Sequence, residues 1–125
     1  MLISGLLRPF LMAGLVLAGA AIAVASLTPR LRLPGVGEGF DLGFHGAAYG
    51  VLVILGGMLW RRPRRVAVAV LVYSTLLEGL QYFVPGREFH LSDLAANVVG
   101  ILAGLAIVAL WRSRQGVREP DGKVL

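Results

Sequence analysis

Long apolar runs separated by short polar segments make up most of this chain. Four runs stand out, and at 1.5 Å per residue each is long enough, or nearly so, to cross a hydrocarbon core of about 30 Å as a helix. They cover residues 10–27, 41–60, 66–84 and 93–111. The pattern predicts an all-α integral membrane protein, a bundle of four transmembrane helices joined by short loops.

Proline and glycine mark the segments between the runs. Residues 29–39 contain two prolines and three glycines and are expected to form a loop. Pro63 interrupts the turn after the second run, and Pro85 with Gly86 ends the third. The 125 residues are therefore expected to form a single transmembrane domain, with residues 112–125 as a largely disordered cytoplasmic tail.

Two boundaries can be interpreted from individual residues. Ser92 or Asp93 is a suitable N-cap for the fourth helix, since its side chain can accept a hydrogen bond from a free backbone N–H. In the first run, Ala23, Val24 and Ala25 resemble a signal-peptide cleavage site, so a cleavable signal peptide is the alternative to a helix. The run is longer than the apolar segment of a typical signal peptide, which favours a membrane-spanning helix.

Basic residues flank the apolar runs and predict the orientation of the chain. There are 12 Lys and Arg against 7 Asp and Glu, a net charge of +5. Nine of the twelve lie before the first run, between the second and third runs, or in the tail. Because cytoplasmic segments are enriched in Lys and Arg, we expect both termini inside (N-in, C-in) in the inner membrane of a bacterium, and no nucleic-acid partner.

On this topology, polar residues of three helices lie at the outer end of the bundle. Asp41 and His45 are four residues apart on the second helix, as are Asp93 and Asn97 on the fourth, so each pair shares a helix face. An ionisable side chain inside a membrane helix costs roughly 2.5–3.5 kcal/mol on insertion scales, so such residues indicate function. The predicted ligand-binding residues are Asp41, His45, Glu78, Gln81, Arg87, Asp93 and Asn97.

These residues are part of a longer series of motifs in a fixed order. The series comprises Ser26-Leu27-Thr28-Pro29, then Asp41, His45 and Tyr49, then Glu78 and Gln81, then Phe83-Val84-Pro85-Gly86-Arg87, and finally Asp93, Asn97 and Gly100. It covers most of the chain and resembles the VanZ-like membrane proteins. One departure is Leu42, which stands where that family often has a lysine.

The resemblance implies a four-helix membrane protein of a family named for glycopeptide (teicoplanin) resistance, in which the molecular activity is not established. It implies that the seven predicted residues match the polar motif of the family. It supplies no reaction. Resistance itself is not carried over, because such proteins occur far more widely than the resistance does.

The favoured function is binding of a polar or anionic ligand at the outer leaflet. Arg87 offers a planar guanidinium that suits a carboxylate or phosphate, and the start of the fourth helix adds unpaired N–H groups. A lipid head group or a lipid-linked cell-wall precursor would be within reach. Membrane lipids are the expected partners in any case.

Two alternatives stay open for the same residues. In an enzyme, His45 held by Asp41 would form an acid/base pair with Glu78 for hydrolysis or group transfer, so these three are the candidate catalytic residues. In a purely structural cluster, the polar groups would pair across helices at about 1 kcal/mol for each hydrogen bond.

No metal or cofactor is expected. Two imidazoles and two carboxylates could satisfy zinc, from Asp41, His45, His90 and Asp93, but no metal-binding spacing such as HExxH is present, and Arg87 beside them would repel a cation. Small residues also line one face of the fourth helix. This face predicts close packing either within the chain or in a homo-oligomer, through Gly100 and Gly104.

Overall fold

The fold is known from a computed structural model, which describes residues 4–28 and 38–116; the side chains of residues 38–42 lie outside the description. Within these ranges the chain forms four helices and no strands, so the all-α prediction is confirmed there. The helices are α1 (Arg8–Leu27), α2 (Glu38–Leu59), α3 (Pro63–Gln81) and α4 (Leu91–Arg114).

The helix boundaries follow local backbone chemistry. Proline occupies the first turn of α3, where its missing N–H costs nothing. The turn after α3 contains Gly86 at a φ of 78°, a left-handed conformation that favours glycine. The expected N-cap of α4 is wrong: His90 takes that position, and Ser92 and Asp93 lie inside the first turn. The carboxylate of Asp93 is favourable there because it faces the positive end of the helix dipole.

Side-chain contacts show that the helices run alternately up and down. Arg87, just after α3, bonds to backbone oxygens at the end of α1. Arg112, near the end of α4, bonds to backbone oxygens at the end of α2. The helix α2 contacts all three others, whereas α1 and α4 do not touch within the described residues. The bundle therefore has α2 and α3 at its centre, with α1 and α4 as flanking helices.

The tightest contact joins α2 and α4 through glycines. A methyl group added at Gly100 would overlap the backbone oxygen of Gly46, and one at Gly104 would come within 2.7 Å of the backbone oxygen of Gly50. Only glycine permits this approach of two helix backbones. Gly100 and Gly104 thus pack within the chain, and a homo-oligomer through the same face stays a prediction.

The predicted tail begins too early, because Arg112 belongs to α4 and is buried. The helix α4 continues to Arg114, and Arg112 is 9% exposed. Its guanidinium donates hydrogen bonds to the backbone oxygens of Gly57 (2.7 Å) and Arg61 (3.0 Å), and also to that of Trp60. It therefore caps the C-terminus of α2, whose last carbonyls have no partner in their own helix. Residues 117–125 of the predicted tail lie outside the described residues.

Apolar side chains cover the outside of the bundle. Phe10, Leu17 and Leu102 are 75%, 70% and 58% exposed. Beyond the end of α3, Tyr82 and Phe83 are also exposed, with their rings edge to face and 5.5 Å between centroids. Two helices, α1 and α4, are long and apolar enough to cross a membrane, and a shorter apolar stretch covers Gly43–Leu59. Such a surface is unfavourable in water and suits lipid.

Candidate functional site

Three helices place polar side chains around one carboxylate, that of Glu78. Its Oε1 accepts a hydrogen bond from Asn97 Nδ2 at 3.2 Å and lies 4.0 Å from His45 Nδ1. Glu78 is in the last turn of α3, while His45 and Asn97 are near the starts of α2 and α4. The alternating directions of the helices bring these ends together.

The polar cluster, defined as His45, Tyr49, Glu78, Gln81, Asp93 and Asn97, is mostly buried. Glu78, Gln81 and Asn97 are 1%, 2% and 0% exposed, and Asp93 is 7% exposed. Asp93 lies close enough to Glu78 for the two carboxyl groups to interact electrostatically. In such a low-dielectric setting, interactions between polar groups are stronger than at a surface.

Four atoms of the polar cluster are buried without a hydrogen bond of good geometry to the residues that the structure describes. They are Tyr49 Oη, Glu78 Oε2, Gln81 Nε2 and Asn97 Oδ1. Each belongs to a side chain at most 2% exposed. A buried polar group left unbonded costs about 1–3 kcal/mol, so this cluster carries unused bonding capacity.

Arg87 lies beside the polar cluster but donates hydrogen bonds to the backbone of α1. Its Nε donates to the backbone oxygen of Thr28 at 3.1 Å, and its Nη2 donates to that of Ala25 at 2.5 Å. The guanidinium also interacts electrostatically with Glu78. The hydrogen bonds to Ala25 and Thr28 join the loop before α4 to the end of α1.

The remaining candidates lie apart from the polar cluster or outside the description. Asp41 is in the first turns of α2, but its side chain is among those not described. His90 is exposed, and its Nε2 lies 3.7 Å from Glu88 Oε2. Among the described residues, no three His, Asp or Glu side chains are placed to hold a metal ion together.

Tyr49 is the residue that sequence reasoning left out of the predicted site. It is fully buried, and its hydroxyl lies within hydrogen-bonding reach of the Ser26 side chain at the end of α1 and interacts electrostatically with Glu78. Its four-residue spacing from His45 was the available signal. Ser26, 4% exposed and the one buried residue of α1, had no such periodic signal.

Apolar helices around a buried polar cluster indicate a small helical membrane protein. The chain belongs to the VanZ/LLP1 family, whose sequence model matches residues 5–112, and this confirms the resemblance seen in the motifs. Neither a curated protein nor a solved structure matches the chain.

Proposed function

We propose that this protein crosses the bacterial inner membrane four times, with both termini in the cytoplasm, and that its polar cluster binds a polar ligand from the outer leaflet. The ligand is a lipid head group or a lipid-linked cell-wall precursor. The observation that carries the proposal is the set of four buried atoms without a partner among the described residues. A ligand that bonds to them would recover free energy that is otherwise lost on burial.

The chemistry of these atoms narrows the ligand class. Glu78 Oε2 and Asn97 Oδ1 are acceptors, Gln81 Nε2 is a donor, and the Tyr49 hydroxyl can do both. A sugar, a glycerol or a peptide amide carries donors and acceptors side by side and suits such a set. A bare phosphate, which mainly accepts hydrogen bonds, would use fewer of the atoms. This complementarity favours a hydroxyl- or amide-bearing head group.

His45 provides the route to the polar cluster. Its side chain is 13% exposed, whereas that of Glu78, 4.0 Å away, is 1% exposed. A ligand would therefore approach past the imidazole and reach the carboxylate behind it. Arg87 acts here as a positioning residue, because its hydrogen bonds to α1 hold the outer ends of α1 and α3 together.

The test uses variants that remove polar atoms of the cluster with little change in side-chain shape. Tyr49→Phe and Gln81→Met should each weaken binding of a short-chain lipid-linked cell-wall precursor by about tenfold, the equivalent of a hydrogen bond of roughly 1.4 kcal/mol. The ligand-free variants should melt close to the wild-type temperature, since Gln81 Nε2 has no hydrogen-bond partner within the described chain and the Tyr49 hydroxyl has only Ser26 beside it. Thermophoresis measures the affinity, and differential scanning fluorimetry measures the melting.

Tyr82→Phe is the matched control. It also removes a phenolic hydroxyl, but from a tyrosine that follows α3 at the end of the bundle where the polar cluster lies. Because Tyr82 is 77% exposed, binding and melting should stay unchanged. If Tyr49→Phe and Gln81→Met instead lower the melting temperature and leave precursor binding intact, the polar cluster is structural and the proposed function is wrong.

The distance between His45 and Glu78 favours acid/base catalysis as the second candidate. The 4.0 Å between Nδ1 and Oε1 would shorten to a hydrogen bond with a small side-chain rotation. His45→Asn retains size and some hydrogen bonding but removes proton transfer. If the protein is an enzyme, this variant should bind the precursor and lose its conversion, measured by mass spectrometry of the reaction mixture.

A role in teicoplanin resistance is a separate part of the proposal. The role is suggested by membership of the VanZ/LLP1 family. Binding of a cell-wall precursor at the polar cluster would connect the protein to the target of the antibiotic. Comparing the teicoplanin susceptibility of cells that express the wild type and Tyr49→Phe tests whether such a role depends on this site.

A further inference from the structure

A cavity lies at the opposite end of the bundle from the polar cluster. It has a volume of about 580 Å³ and lies between α1, α2 and α3. Its mouth carries three arginines, Arg61, Arg62 and Arg65, next to Trp60. Cavities of roughly 300–1,000 Å³ are typical of sites for small molecules.

The interior of this arginine-mouthed cavity is apolar. Leu15 of α1, Leu52 of α2 and Val70 of α3 line its walls, and no acidic side chain does so among the described residues. The space beside Gly19 of α1 is open, since a methyl group added there would meet nothing closer than the Tyr73 hydroxyl at 4.0 Å. The cavity thus combines an apolar interior, the slot, with a cluster of positive charge at its mouth.

The depth of the cavity matches one leaflet of a bilayer. Tyr73 marks its inner limit, and α3 begins at Pro63 beside the arginines. Ten helical residues at 1.5 Å per residue give about 15 Å, half of a hydrocarbon core of about 30 Å. A molecule with a charged end at the arginines and an apolar chain toward Tyr73 would have the dimensions of a membrane lipid.

We propose that this cavity binds an anionic phospholipid, with its phosphate on Arg62 and Arg65 and one acyl chain in the slot between α1 and α3. The guanidinium group is planar, always charged and suited to two parallel hydrogen bonds with phosphate oxygens. The N-terminal dipole of α3 adds positive potential at the same position. The proposal is independent of the ligand of the polar cluster, because the two sites lie at opposite ends of the bundle.

Native mass spectrometry of the full-length protein in detergent tests the charged half of the site, with dioleoyl phosphatidylglycerol and dioleoyl phosphatidylcholine as probes. Phosphatidylglycerol should bind more tightly, and Arg65→Gln should weaken it about fivefold, the factor for one arginine near an anionic surface. Arg64→Gln is the matched control, since Arg64 is in the same turn but does not line the cavity. An equal effect of the two variants, or equal binding of the two lipids, would overturn the proposal.

The apolar half is tested by filling the slot. Ala69 lines the cavity and Val68, its neighbour, faces outward at 60% exposure. Ala69→Phe should lower phosphatidylglycerol binding at least fivefold, whereas Val68→Phe should leave it unchanged. Excess inorganic phosphate should not displace the lipid. Displacement by phosphate, or full binding by an Ala69→Phe variant that melts like the wild type, would refute a lipid in this slot.

Should Arg65→Gln or Ala69→Phe fail to fold, Arg62→Gln and Ala69→Leu repeat the two measurements with the same expected directions. Melting temperature identifies the folded variants before lipid is added. Loss of precursor binding at the polar cluster would have no effect on either result, so this inference and the proposed function fail separately.

Discussion

The flanking helices α1 and α4 both pack on the central pair, α2 and α3, but they are held in different ways. The backbone of α4 approaches α2 closely enough that a methyl group at Gly100 would overlap Gly46. The helix α1 buries only Ser26. Its partly buried Leu15, Ala18 and Ile22 pack on the apolar core, and polar side chains reach it from α3 and the following loop. The contact between α2 and α4 is therefore the tightly packed part of the bundle, and α1 packs against the rest less closely.

The hydrogen bonds to α1 are few and lie at different depths. The Tyr73 hydroxyl donates to the backbone oxygen of Gly19 at 2.6 Å, halfway along α1. Arg87 bonds to the backbone oxygens of Ala25 and Thr28 at the end of α1. Side-chain hydrogen bonds in membrane bundles contribute about 0.6–2 kcal/mol each, whereas overpacking a tight helix interface costs about 1–3 kcal/mol and occasionally more.

The largest effect in this comparison is expected from Gly100→Val. The added side chain must separate the backbones of α2 and α4, and we expect a loss of at least about 3 kcal/mol, enough to prevent stable folding. Gly14→Val in α1 is the matched control, because a methyl group at Gly14 would meet nothing within 4 Å. Size-exclusion chromatography and melting temperature measure both; equal losses would show that α1 is packed as tightly as α4.

Arg112→Met is expected to have the next largest effect. It removes the cap on the backbone oxygens of Gly57 and Arg61 and leaves the buried oxygen, that of Gly57, without this partner, at a cost of about 2–3 kcal/mol. Arg114→Met removes the same charge from an exposed position two residues later and should change the melting temperature little. Identical melting of the two variants would contradict a structural role for Arg112.

The smallest effect is expected from Arg87→Gln. Loss of its bonds to Ala25 and Thr28 should lower global stability by only about 1–2 kcal/mol and increase hydrogen exchange at the end of α1. Glu88→Gln, an exposed change at the next residue, is the control. Unchanged exchange in α1 together with lost precursor binding would favour the other role of Arg87, direct contact with the ligand.

Sequence reasoning located the helices because the apolar runs are long and are broken by proline and glycine. It also placed His45, Glu78 and Asn97 at one end, since residue spacing fixes a shared face and alternating helix directions bring the ends together. Whether these residues bind a ligand is a matter for the variants above. The partners of long side chains were not predictable, because Arg87 and Arg112 bond to carbonyls more than 50 residues away.

The glycine contact was predictable only in part. Repeated small residues in α2 and α4 indicated close packing, but the same spacing fits a contact with another copy of the chain. The structure matches Gly46 with Gly100 and Gly50 with Gly104. That match depends on the relative height of two helices, which the loops between them determine and residue spacing alone does not.

Aromatic rings stand at both ends of α3, with Trp60 before it and Tyr82 and Phe83 after it. On the proposed topology they would anchor at the two interfaces, and the 19 residues of α3 measure about 28 Å. A bilayer with longer acyl chains would then exceed this span and would have to thin locally around the protein. Because Glu78 is one turn below Tyr82, acyl-chain length would adjust how well its carboxyl group is hydrated.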